Sequence, residues 1–139
     1  MAKKILLDAY ISINSVVLSN RSNKVTVSSS KDEVDLTAFG ASSKQKGLGL
    51  GDGSIAVELF QDFDAGSVDA TLWPLHTAGT EFPVIVRASS AAVSATNPEY
   101  RMTGVLPEYT PLDGSVGEAS KVSISVKNSG DSGIVRATS

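Results

Sequence analysis

The stretch 60–75, FQDFDAGSVDATLWPL, decides the fold, because a β-type apolar run turns there within a few residues into a capped helix. Phe60 and Phe63 end a strand, and Asp62, Asp64 and Gly66 supply turn chemistry. Ser67 stands where a helix N-cap belongs. Val68, Thr71, Leu72 and Leu75 follow at helical spacing, with Asp69 in the first turn, where negative charge suits the helix dipole. Pro74 falls inside the pattern. An interior proline removes a hydrogen bond at a cost of about 3 kcal/mol, so a kink or early end is expected near Trp73. Gly79 closes the element, and the spacing predicts one helix over about 67–78.

Outward from this helix, the chain reads as short strands and turns. Tyr10-Ile11-Ser12-Ile13 and Val16-Val17-Leu18-Ser19 flank Asn14-Ser15, a two-residue hairpin turn. Residues 24–29 alternate around Val25 and Val27, and 33–39 put Val34, Leu36 and Ala38 on one face. Longer strands are expected over 54–63 and 81–87, with another over 99–109 that Pro107 interrupts. The clearest is 121–127, with Val122, Ile124 and Val126 facing in. A last short strand fits 134–137. Between two of these lies GASSKQKGLGLGDG, residues 40–53, read as a long loop; loops of this length are usually functional or disordered. The fold class is therefore mainly β: two packed antiparallel sheets, a β-sandwich or partial barrel, with one flanking helix.

At 139 residues the chain is expected to be a single domain over 1–139. It has no cysteine, which removes disulfides, thiolate metal sites and thiol nucleophiles. A single histidine, His76, excludes multi-histidine zinc sites. The net charge of -3 gives no basic footprint for gripping nucleic acid. Asp8 interrupts the apolar run after Lys3 and Lys4, leaving it too short for a signal core or membrane helix; synthesis and folding in a cytoplasm are expected.

Candidate chemistry is thin. The glycines of 47–53 match neither phosphate-loop spacing. Ser67, Asp69 and His76 have the residue types of a hydrolase triad but share one short helix, and capping explains Ser67. Asp32, Glu33 and Asp35 sit in a period-two strand rather than a calcium loop. Trp73 is the only tryptophan, too little for a base-stacking platform. No catalytic residue, cofactor or metal is expected, and no membrane partner.

The segment 60–75, together with Ala95-Thr96-Asn97-Pro98-Glu99-Tyr100 and Asp113-Gly114-Ser115-Val116-Gly117-Glu118, resembles the major tail tube protein of long-tailed, siphovirus-type phages and prophages of actinobacteria. The resemblance implies a structural virion protein whose subunits close into hexameric rings, stack into a tube and conduct phage DNA without binding it specifically. Further implied partners are the tape measure, tail tip and terminator proteins, in a virion tail. On this resemblance, residues 40–53 form the loop that reaches a neighbouring ring or subunit, with Lys44, Lys46, Gly47, Leu48, Gly49, Leu50 and Gly51 in contact. The strands on either side line the channel. Phosphates slide past an acidic or neutral wall and stick to a lysine-lined one, which singles out Glu33, Asp35, Glu58 and Asp62 as lumen candidates. Two other readings are open: another virion β-protein (capsid decoration or head–tail connector), and a β-sandwich module binding carbohydrate or a cell surface near Trp73 or Tyr100.

Overall fold

Valine and isoleucine at every second position shape most of this chain, since alternate side chains of a strand fall on opposite faces. The computed structural model describes residues 5–139, so Lys3 and Lys4 of the basic start lie outside the described residues. Eight strands form among those described: β1 (Tyr10–Ile13), β2 (Val16–Val17), β3 (Ser22–Asp35), β4 (Lys46–Phe60), β5 (Phe82–Arg87), β6 (Glu99–Val105), β7 (Lys121–Asn128) and β8 (Val135–Ala137). One helix, α1 (Val68–Ala78), joins β4 to β5. The strands pair antiparallel in the order β2-β1-β5-β6-β7-β4-β3, with β8 on β6.

The hydrogen-bonded path is continuous but thin at one point. β6 and β7 share only the pairs Gly104↔Asn128 and Val105↔Lys127. On either side of this seam the path forms two layers, β2-β1-β5-β6-β8 and β7-β4-β3, so the expected two sheets are halves of one folded ladder. Ile13, Phe82 and Val84 from the first layer meet Ile55, Leu59 and Val126 from the second in a single buried core. At Gly53 of β4 an added Cβ would come within 2.8 Å of Ile134, beside β8, so the layers are in close contact there.

Local chemistry accounts for the short elements. Asn14 and Ser15 both take positive φ, 51° and 67°, which a hairpin turn of two residues requires. In α1 the buried stripe is Val68, Thr71, Leu72 and Leu75, as the spacing predicts. The helix does not stop at Trp73; it runs through Pro74 to Ala78. Pro74 and Ala70, whose carbonyl loses its partner, are both exposed, so the missing bond falls on the solvent side of the helix. Leu75 anchors the next turn in the core. Gly79 ends the helix in the left-handed region, its N–H bonded to the Leu75 carbonyl at 3.2 Å.

The expected loop over 40–53 is much shorter. β4 begins at Lys46 and pairs with β3 along its whole length, from Asp35↔Lys46 to Ser22↔Leu59, so the open connection spans only 36–45. Likewise 24–29 and 33–39 are not separate strands: β3 runs unbroken from Ser22 and ends before Leu36. Ser28–Asp35 and Lys46–Gly53 have little strand propensity of their own. They become strands because the apolar register of Val25 and Val27 against Val57 and Ile55 propagates into them. The result is a two-stranded arm projecting beyond the core.

The seam yields the first prediction. A Cβ at Gly104 would meet the Lys127 carbonyl at 2.6 Å and Val126 at 2.5 Å, both in the facing strand. Gly104→Ala is expected to lower stability by about 1–3 kcal/mol through forced displacement of β6 from β7, read as a reduced midpoint in chemical denaturation.

Candidate assembly surface

Register determines what each face of the β7-β4-β3 layer presents, because directly opposed residues share a face. Lys24↔Glu58↔Ser123, Thr26↔Ala56↔Ser125 and Ser28↔Ser54↔Lys127 form cross-strand rows pointing away from the core. With Lys121 at the end of β7, this outer face is small, hydroxyl-rich and carries both signs of charge. Glu58 is held on it by Asn23 at 3.1 Å and Lys121 at 3.8 Å.

The four acidic lumen candidates do not share this wall. β3 keeps its parity from Lys24 to Asp35, so Glu33 and Asp35 lie on the opposite face from Lys24 and Glu58. A bulge between Lys31 and Glu33, where β4 holds one extra residue, brings Lys46 onto their side. Lys46 then lies 3.6 Å from Glu33 and 3.9 Å from Asp35. The Thr37 backbone N–H and hydroxyl hold the Asp35 carboxyl below the usual range.

Asp62 is not on a sheet face at all. Its carboxylate accepts from the Asp64 N–H at 3.0 Å, the Ser67 hydroxyl at 2.7 Å and Arg21 Nε at 2.7 Å, which together bring its pKa down to about 2. The Asp62 carbonyl also accepts the Asp69 N–H at 3.1 Å. Asp62, rather than Ser67, thus satisfies the start of α1: Ser67 occupies the N-cap position, but its side chain makes no bond to a helix amide. Other triad-type residues are similarly occupied. Tyr109 donates to Asp69 at 2.8 Å, and His76 Nδ1 lies 3.1 Å from the Leu106 carbonyl, so Ser67, Asp69 and His76 do not form a relay. Burial first, then the Asp69 carboxylate, raise the Tyr109 pKa to about 12, although Gln61 opposes them.

Of the loop residues, Lys44 lies in the open connection at the arm's end, while Lys46, Gly47, Leu48, Gly49, Leu50 and Gly51 lie in β4 on the arm itself. The arm leaves Val34, Leu36, Phe39, Leu48 and Leu50 exposed. Its outer strand, β3, pairs only with β4, so one edge of 14 residues has no strand partner among the described residues. Sequence reasoning missed the cluster around the buried Glu99: it pairs with Arg87 at 3.0 Å and with the exposed Arg101, and the Arg87 guanidinium lies 3.9 Å above the Tyr10 ring. These four residues come from three separate strands, which no local pattern could have joined.

The chain matches no family model and no curated protein. Solved structures match its fold. The SPP1 tail tube aligns with a TM-score of 0.70 at 14% identity, covering 95% of this chain and 76% of that one. A chain of the PVC sheath–tube complex, an extracellular contractile injection system in its extended state, aligns at 0.70 and 10% identity, covering 99% and 93%. A chain from the tail of an empty gene transfer agent particle, refined with C6 symmetry, aligns at 0.65 and 11%, covering 86% and 82%. The protein has the tail tube fold, one that contractile and other tail assemblies share.

The Asp62 junction gives a pH prediction. A carboxyl with a depressed folded-state pKa adds stability above its unfolded value, and that stability is lost as pH falls through the folded value. The contribution of Asp62 therefore disappears as pH drops from 3.8 towards about 2. Asp62→Asn is expected to melt lower at neutral pH and to lose less over that acid range than the parent. Parallel melting curves against pH would contradict the assignment.

Proposed function

We propose that this protein is a structural tail tube subunit, six copies of which close into a ring while rings stack into a tube that conducts DNA. The observation that carries the proposal is the long unpartnered edge of β3 on a chain with the tail tube fold. Such an edge presents a row of free N–H and C=O groups, a standing template for another strand. A head-to-tail arrangement satisfies it in every copy at once, and closes if the rotation per copy divides a full turn. The C6 symmetry of the gene transfer agent tail is an instance of that closure at six.

The outer face of β7-β4-β3 is the proposed channel wall. The other face of that layer is committed to the core, so only the hydroxyl-rich side is free to meet water and DNA. Lys24, Lys121 and Lys127 stand there with Glu58, and Asp32 and Asp52 extend the same face along the arm. Three lysines against three carboxylates make the wall neutral, not acidic, with Ser and Thr between them. A wall with no excess cation releases few counterions from DNA, which favours passage over capture. Glu58 is the one lumen candidate kept on this wall; Glu33 and Asp35 belong to the arm's other face. Partners in this reading are copies of the same chain, the tape measure, tail tip and terminator proteins, and DNA in transit, within a virion tail made in a bacterial cytoplasm.

A carbohydrate-binding role is less well supported. Tyr100 does line a cavity of about 530 Å³, but its other polar lining is Ser29, Arg87 and Arg136, with no carboxylate or amide to accept sugar hydroxyls.

Purified protein concentrated at near-neutral pH and viewed by negative-stain electron microscopy is expected to form rings or hollow tubes. A chain that stays monomeric by light scattering across the accessible concentration range would overturn the proposal.

A further inference from the structure

The residues just ahead of β1 lie across the start of the β3 edge. Residues 5–9 take no regular structure and form no ladder with β3. Two cavities flank them. The smaller, about 340 Å³, has Leu6 to Ala9 on one side and Ser22 to Val25 on the other. The larger, about 530 Å³, continues past Val25 to Val27 and Ser29. Leu6, Ala9 and Val25 border both, so the segment crosses the groove that runs along this half of β3. A strand added to β3 would run about 4.8 Å from it, through that groove. Little holds the segment in its way. Ile5, Leu6 and Leu7 are all more than half exposed, so apolar burial contributes little. A polar attachment runs to the connection after β5, where the Asp8 carboxylate accepts from the Ser90 hydroxyl at 3.0 Å and the Ser89 hydroxyl at 3.5 Å. Both bonds are exposed, and such bonds are readily exchanged for bonds to water. β3, in contrast, is fixed by its ladder with β4. Of the two walls of the groove, the segment is the one that yields.

We infer that residues 5–9 are a strap that gates the β3 edge. Latched through Asp8, the strap obstructs the groove beside Ser22 to Ser29. Released, it leaves that stretch open to a pairing strand. The inference rests on the tube reading above and adds a control on when the edge becomes available. Covering an edge is one of the ways in which a free strand is kept from pairing with the wrong partner or too early. β3 needs such a device, since it is 14 residues long and contains no proline. A loose cover held by exposed hydrogen bonds suits a subunit that must stay dispersed and then assemble, because a tight one would block both the wrong strand and the right one.

Releasing and locking the strap should act in opposite directions. Asp8→Ala and Ser90→Ala change exposed residues and each remove latch bonds. Both should leave the circular dichroism of the subunit unchanged and lower the concentration needed for assembly roughly fivefold, the scale of one modest hydrogen bond. The absence of cysteine allows the converse. Leu6→Cys and Asn20→Cys both border the smaller cavity, Asn20 being exposed in the turn ahead of β3. Joined within one dispersed subunit by a bis-maleimide whose spacer contains a disulfide, they should stop assembly, and reduction of the spacer should restore it. Asn20→Cys alone, carrying the same reagent, should assemble like the parent. Latch variants that assemble no more readily than the parent, or a linked subunit that assembles at the parent's concentration, would overturn the gate while leaving the tube reading intact. If the parent chain forms no tube, both fall.

Discussion

The unpaired edge of β3 is the constraint from which the rest of the structure takes its meaning. Burial and internal hydrogen bonding satisfy nearly all of the β7-β4-β3 layer on its inner face, yet the outermost strand is also the second longest, at 14 residues. Proteins that remain monomers shorten, charge or cover such an edge. Here it is long and lies beside an open cavity, and its far half projects as an arm with apolar side chains in water. Each of these features is a liability in an isolated subunit and a fitting in an assembly.

Two irregularities decide how that edge is presented. The seam at Gly104 lets one hydrogen-bonded path fold over on itself, which frees one face of β7-β4-β3 from the core. The bulge near Glu33 then changes which β4 residues share a face with β3, pairing Glu33 and Asp35 with Lys46. The two carboxylates nearest the end of the arm thereby share one lysine, which offsets half of their charge, and the outer face of the body keeps its row of hydroxyls. The Asp62 junction fixes the other end of the layer, tying Arg21 at the start of β3 to the first turn of α1.

Much of this was legible in the chain itself, for reasons that differ by element. The helix could be read because its apolar spacing, first-turn Asp69 and terminal Gly79 all agree. β7 could be read because its alternation is unbroken. The arm could not. Ser28-Ser29-Ser30 and the glycines from 47 to 53 have the composition of a loop, and only pairing with each other makes them strands. The lumen candidates divide between faces for a reason equally hidden in the linear pattern. Glu33, Asp35 and Glu58 look equivalent in a linear pattern, but the pairing of Lys24 with Glu58 and the parity of β3 put Glu33 and Asp35 on the opposite face from Glu58. Asp62 has the composition of a wall residue and the contacts of a helix cap. The Glu99 cluster was invisible because Tyr10, Arg87 and Glu99 are distant in sequence.

The central claim is that the free edge of β3 is the joint of an assembly. Amide hydrogen exchange along Ser22–Asp35, measured on dispersed subunits and on assembled material, tests this most directly. In the dispersed subunit, β3 amides that do not bond to β4 should exchange quickly, since no strand covers them. On assembly the account predicts slowing of at least a hundredfold at those same amides, with little change in β7 amides bonded to β4. Assemblies in which the free β3 amides still exchange at the dispersed rate would contradict it.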